Sequence, residues 1–343
     1  MENSPKGISN LGNTCYLNAC IQIFSQIDLL YKAILKTRSL NSTKPEIQLW
    51  NQWKEIQFVM TSASPSGEVL CPNGFLSCVQ TLSKQKNRPF LLEKTQEDVT
   101  EFLTFFIECL HNCIARTMSI RVSGHSENET DNLAIVVYGM LKKEYEKDYS
   151  EMVDLFSGVY VSYIDGLESP HTNHSMTPEI YYVLNLSVNV STPETPQDLY
   201  NCLDEFCKAE TLDGDNSWYN EKTKQKEAIS KYIRFWSFPK VLIISLKRTD
   251  MYGQKINAKI DFPCTLDLRK YGYGYKKTDN IFELRGICNH HGNHDDGHYT
   301  SFVKKADMWY FCNDEKVQAV NDEKLIVTPF AYVLFYVKKN ADI

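Results

Sequence analysis

The residues best suited to chemistry lie near the two ends of the chain. Cys15 follows Gly12-Asn13-Thr14, a tight-turn sequence, and opens a stretch with helical spacing. A thiol at a helix N-terminus feels the positive end of the macrodipole, which favours the nucleophilic thiolate. Gly12 lets the backbone come close to a substrate. The same surroundings also suit a cysteine that simply packs as a small apolar residue, so the thiol needs a base. His298, one of eight histidines, follows the turn signal Asp295-Asp296-Gly297 and starts a strand, with a second strand at Met308 to Asn313. A hairpin turning between Lys305 and Ala306 puts His298 directly opposite Asn313, with Cβ atoms about 4.5–5.5 Å apart. The Asn313 amide oxygen then accepts the imidazole Nδ1–H and leaves Nε2 facing the thiol. Asp314 points to the other face or into the following turn. A surface hairpin with an incidental histidine has the same pattern, so the pairing alone does not decide.

Periodicity supplies the elements that must hold these groups. Residues from about Cys15 to Leu35 read as helix, because Leu17, Cys20, Ile21 and Phe24 recur at helical spacing. A second helical region runs from about Glu46 to Met60. Thr95 to Cys113 is the clearest amphipathic helix, with Val99, Phe102, Phe106, Cys109 and Leu110 on one stripe. Thr95 is its expected N-cap, with Asp98 three residues on approximating a capping box. Ser123 to Thr130 reads as a surface loop. From Phe156 onward the pattern changes to β-branched and aromatic runs: Val159 to Val161, Tyr181 to Leu184, Val241 to Ile244, Tyr299 to Val303, Trp309 to Cys312 and Ala331 to Val337. The polar segment Asp213 to Lys231 interrupts them. Helices early and strands late predict an α+β fold. No internal repeat or long linker is visible.

Composition narrows the class. Of 343 residues, 43% are hydrophobic and 23% charged, which is globular material. No apolar run approaches the roughly 20 residues needed to cross a membrane, and the start Met1-Glu2-Asn3-Ser4-Pro5 lacks the features of a secretory signal. Eleven scattered cysteines then read as reduced thiols in a cytoplasmic or nuclear setting. A net charge of −6 argues against a nucleic-acid partner.

Five motifs in order resemble the ubiquitin-specific proteases. Gly7-Ile8-Ser9-Asn10-Leu11-Gly12-Asn13-Thr14-Cys15-Tyr16-Leu17-Asn18 is similar to that family's cysteine box. Gly297 to Val303, followed by Trp309-Tyr310-Phe311-Cys312-Asn313-Asp314-Glu315-Lys316-Val317, is similar to its histidine box. Gln96-Glu97-Asp98-Val99-Thr100-Glu101-Phe102-Leu103 resembles its Gln-x-Asp-x-x-Glu-Phe helix, and Phe238 to Arg248 and Ala331 to Tyr336 resemble strands that frame the palm. The resemblance implies one papain-like catalytic domain over 1–343, with a helical thumb (about 1–155), β fingers (about 156–240) and a palm (about 241–343). It implies Cys15 as nucleophile, His298 as base, Asn313 as third triad member and Asp314 as an adjacent acid that supports or replaces it. Asn10 matches the side chain that donates to the oxyanion, although Asn before a Gly-rich stretch is also an ordinary turn residue. Gln96, Asp98 and Glu101 match substrate-binding positions. Asp98 and Glu101, spaced i and i+3, share a helix face and suit an arginine of the ubiquitin tail; a solvated acidic face is the alternative. Asn289 to Asp296 corresponds to a mobile loop, which makes His290, His291 and His294 loop residues and not metal ligands.

One part departs from that family. Many relatives bind zinc through two Cys-x-x-Cys pairs at the fingertips, and alignment puts Glu168, His171, Asn220 and Thr223 at those positions. No thiolate remains, and structural zinc sites usually need several. His171 and His174 could be joined by Cys202 or Cys207, but those two lie five apart on an expected helix, a poor geometry for joint ligation. A finger without zinc, and a chain without any cofactor, is therefore expected. The expected partners are ubiquitin and ubiquitinated proteins, with no nucleic acid or membrane, and the chain is expected to be a monomer. Alternatives are a catalytically inactive ubiquitin binder and a protease for another ubiquitin-like modifier.

Overall fold

The computed structural model describes residues 4–37, 43–62, 68–88, 97–167, 173–188, 197–221, 223–250, 252–292 and 297–342. Helices come first: α1 (Cys15–Phe24), α2 (Asp28–Lys36), α3 (Ile47–Thr61), α4 (Asn73–Gln85), α5 (Val99–Ile114), α6 (Glu129–Tyr145) and α7 (Glu151–Phe156), with two short strands, β1 (Gly7–Ile8) and β2 (Val69–Leu70), paired among them. Strands follow: β3 (Gly158–Gly166), β4 (Asn173–Tyr181), β5 (Val183–Ser187) and β6 (Gln197–Asp198), then one more helix, α8 (Leu199–Cys207). After it come β7 (Glu210–Leu212), β8 (Trp218–Asn220), β9 (Gln225–Glu227), β10 (Ile229–Ser237), β11 (Val241–Lys247), β12 (Ile260–Asp261) and β13 (Thr265–Asp267). The last are β14 (Ile281–Gly292), β15 (Gly297–Lys305), β16 (Met308–Asn313), β17 (Lys316–Val320) and β18 (Ala331–Lys338). The segregated α+β pattern is the one the sequence predicts.

Two sheets organise the strands. A four-stranded antiparallel sheet has the order β4-β3-β10-β7. The large sheet runs β17-β16-β15-β14-β18-β11-β5, with β13 added beside β14. Only its β11–β5 pair is parallel. Thus β5, which the sequence places among the finger residues, joins the sheet built by residues after 240. The single run expected at Tyr181 to Leu184 divides at Tyr182 between two sheets.

The first helix is the keystone of the packing. All ten residues of α1 are buried, between α5 and the large sheet. Phe24 sits edge-on to Trp53 (6.4 Å), Phe106 (5.6 Å), Phe156 (5.7 Å) and Phe335 (5.8 Å), so one ring joins three helices to β18. Removing such a ring typically costs about 3–5 kcal/mol. Behind α1, a Cβ on Gly286 of β14 would lie 2.5 Å from Ile23 Cγ2, so only glycine permits this approach.

The helix expected over Cys15 to Leu35 is broken. Ile27 takes extended angles (φ −95, ψ 94), and α2 starts afresh at Asp28. The expected cap Thr95 lies outside the described residues. Asp98 caps α5, its carboxylate accepting from Thr100 N at 2.6 Å. The apolar stripe of that helix is buried as its spacing requires.

Candidate active site

The turn before α1 is built by two side chains. Asn10 Oδ1 accepts from Gly12 N (3.0 Å), Thr14 N (3.3 Å) and Thr14 Oγ1 (3.3 Å), while Thr14 Oγ1 accepts from Leu11 N (2.9 Å). Gly12 has φ 102, and a Cβ there would meet nothing within 4 Å. The backbone angle, not a close approach, therefore calls for glycine. Cys15 follows with only 3% of its surface exposed. Burial raises its thiol pKa above the usual value; the backbone N–H of Tyr299 opposes this, the negative charge of Asp314 adds to it, and the N–H groups of Tyr16 and Cys15 oppose it. The helix N-terminus was expected to favour the thiolate, and here burial outweighs it. A thiol held this way needs a base.

His298 and Asn313 do meet, by a different geometry. In the β15–β16 hairpin Lys305 pairs with Met308 and Ser301 with Cys312, so the turn is Ala306-Asp307, one residue later than expected. Ala306 takes φ 51 there. The expected direct opposition is therefore incorrect. In the observed register, Asn313 continues towards position 300, and His298 reaches it diagonally, a distance long side chains can span. His298 Nε2 lies 2.8 Å from Asn313 Oδ1. Since a carboxamide oxygen only accepts, Nε2 carries the proton and Nδ1 the lone pair. This reverses the nitrogens assigned from the sequence.

Asp314 serves another group. At φ 49 it turns away from the histidine. Its carboxylate accepts from Asn10 Nδ2 at 2.9 Å and from Asn18 Nδ2 at 2.8 Å, and its carbonyl accepts from Ile8 N at 2.9 Å. Asn10 is thus both a turn residue and an amide donor held by an acid. Asn18 is 2% exposed and was not singled out from the sequence. Its signal was a polar residue one turn after Cys15 in a mostly apolar helix.

Of the histidines expected in a loop before His298, His290 and His291 are strand residues. His290 and His291 end β14, and His291 pairs with His298. Burial lowers the His291 pKa, and nearby His298 and Lys255 lower it further. His294 lies outside the described residues.

The acids of α5 divide their tasks. Asp98 is engaged by Thr100 and by Tyr332 OH, which donates to its Oδ2 at 2.5 Å. Glu101 instead lines an open pocket of about 500 Å³ with Asn87, Arg88, Thr104, Phe105 and Asn185. Asp98 thus has partners at the helix cap and on β18, while Glu101 faces the pocket. Gln96 lies outside the described residues, as do Glu168 and His171 of the finger.

At the β8–β9 hairpin, Asn220 Nδ2 donates to Glu227 Oε1 (3.0 Å) and Oε2 (3.1 Å), and Thr223 Oγ1 donates to Glu227 Oε1 (2.5 Å). Two positions aligned with zinc-binding cysteines thus join a polar cluster. Among the described residues, no three or more His, Cys, Asp or Glu are grouped to hold a metal ion, and no helix is long and apolar enough to cross a membrane.

Comparison with known proteins places this geometry. The model of a family described as ubiquitin carboxyl-terminal hydrolase matches residues 6–336. Ubiquitin carboxyl-terminal hydrolase 5 of Saccharomyces cerevisiae is 29% identical over 362 aligned residues, covering 96% of this chain and 44% of that protein. Ubiquitin carboxyl-terminal hydrolase Usp2 of Drosophila melanogaster is 30% identical over 340, covering 96% and 34%. The chain thus spans less than half the length of either relative. In fold it is similar to a chain of the SAGA Ubp8/Sgf11/Sus1/Sgf73 DUB module bound to ubiquitin aldehyde, with TM-score 0.75 and 22% identity, covering 100% of this chain and 71% of that one.

Proposed function

The chain belongs to the ubiquitin carboxyl-terminal hydrolase family, and from that premise we propose that it is a thiol-dependent deubiquitinase. It cleaves the isopeptide or peptide bond after the C-terminal glycine of ubiquitin. His298 Nδ1 takes the Cys15 proton, and the imidazolium that forms is steadied through Nε2–H on Asn313. The thiolate attacks the glycine carbonyl carbon. The oxygen becomes negative and is met by the Asn10 Nδ2 hydrogen not committed to Asp314 and by backbone N–H at the start of α1. Collapse of the tetrahedral intermediate breaks the C–N bond as His298 returns the proton to the leaving amine. Water, deprotonated by the same histidine, then releases ubiquitin from the Cys15 thioester.

The observation that carries this reading is the 2.8 Å contact between His298 Nε2 and Asn313 Oδ1, which supports Nδ1 as the base. All 11 cysteines are unpaired, which suits a reducing compartment such as cytoplasm or nucleus. A ubiquitin probe ending in an electrophile should label the protein once, and Cys15→Ala should abolish labelling. A parallel probe made from an interferon-induced ubiquitin-like modifier separates the ubiquitin reading from its nearest rival. Labelling by that probe alone would reassign the substrate. No labelling by either would leave an inactive binder.

A further inference from the structure

A second cleft, of about 540 Å³, opens between α7, the end of β10 and the end of β18, away from the residues discussed so far. Lys240, Lys276, Lys338 and Lys339 all line it. Lys339 pairs with Glu283 at 3.4 Å, and Lys240 Nζ donates to the Asp342 carbonyl at 2.7 Å. Neither Lys276 nor Lys338 has a carboxylate at ion-pair distance among the described residues. The lining also holds two acids, Asp154, which accepts from Tyr149 OH at 2.6 Å, and Asp279, which accepts from Thr278 Oγ1 at 3.1 Å, so four lysines face two carboxylates.

Such a gathering of cations is unfavourable while empty. Lys338 is half-buried with its ammonium 5.7 Å from the Phe282 ring centroid. Burial pushes its pKa below the usual value; Asp279 pulls it back, and Lys276 and Lys240 push it down again. An anion would relieve both burial and repulsion. The positive cleft also runs against a chain whose net charge is −6, so general solubility does not account for it. Ammonium groups are standard phosphate binders, and the volume lies in the usual range for small-molecule sites, about 300–1,000 Å³. Trp236 and Phe238 supply an apolar wall beside the lysines.

We infer that this cleft binds the phosphate groups of a small soluble ligand through Lys338, Lys276 and Lys240. The inference does not depend on the hydrolase reading, because its test reads binding and not turnover.

Inorganic tripolyphosphate and a nucleoside triphosphate are titrated separately into the full chain by calorimetry at low salt. One saturable site is expected for each. Lys338→Gln and Lys276→Gln should each weaken it at least tenfold while leaving the melting temperature and Cys15 probe labelling unchanged. Lys276 is exposed, so its variant keeps the test sound if Lys338→Gln folds poorly. Equal affinities assign recognition to phosphate alone, and a tighter nucleotide brings in the Trp236 wall. Absence of saturable binding at millimolar ligand, or unchanged affinity in the Lys276→Gln variant, overturns the proposal.

Discussion

The seam beside Cys15 and the tip of the β8–β9 hairpin use the same chemistry, an asparagine amide donating to a carboxylate. At the seam, Asp314 receives Asn10 and Asn18, residues 304 and 296 positions away. At the tip, Glu227 receives Asn220, 7 positions away. The local pair closes a hairpin at little entropic cost. The distant pair forms only after most of the chain has folded, because closing a longer loop costs more. Equivalent contacts therefore do different work. One braces a turn, and the other ties the two ends of the molecule into a single site.

That contrast can be broken from the seam side first. Asn313→Ala should lower kcat by at least about tenfold, because nothing then fixes the His298 tautomer. Steady-state kinetics on a ubiquitin fluorogenic substrate would show it. Asn313→Asp sharpens the point: a carboxylate stabilises the imidazolium more than an amide does, so a higher pH is needed for the neutral base. The acidic limb of the rate profile should move upward.

Glu101→Gln should reduce kcat/KM for ubiquitin substrates by about tenfold with stability unchanged, since this acid faces an open pocket. Asp98→Ala should also cost stability, about 1 kcal/mol from the lost cap, measurable in urea. If Asp98→Ala leaves stability unchanged, the division between the two acids fails.

Asp314→Asn should lower kcat severalfold, less than Asn313→Ala, by loosening Asn10. It also removes a negative charge that raises the Cys15 pKa. Alkylation of the free enzyme by iodoacetamide near neutral pH should therefore become faster as turnover becomes slower. A fall in both rates would mean that the acid acts on the histidine instead.

Glu227→Gln should have the smallest effect. Weakening the hairpin cluster should cost no more than about 1.5 kcal/mol, and kcat should not change. A seam-sized loss of activity would erase the distinction between the two regions.

The readable parts of this molecule are those set by residue type and period. Val99, Phe102 and Phe106 declared the buried face of α5, and Cys15 and His298 stood out by their neighbours. What escaped was set by a turn without glycine. Lys305-Ala306-Asp307 offers no residue that demands a positive φ, so the hairpin could turn at either of two places. That one step decided which imidazole nitrogen meets Asn313. Asn18 escaped because its meaning lies in Asp314, far along the chain. Asp98 was read by its charge, whereas its first partners are the Thr100 amide and the Tyr332 hydroxyl, which only the folded helix end and β18 bring together.

The 304-residue reach between Asn10 and Asp314 has a consequence for synthesis. As the chain leaves the ribosome, Asn10 and Cys15 emerge long before His298, Asn313 and Asp314. A nascent chain thus carries the thiol without the means to ionise or aim it. A chain halted before β15 lacks His298, Asn313 and Asp314 altogether. The order of the residues along the polypeptide acts as a timer on the assembly of the site.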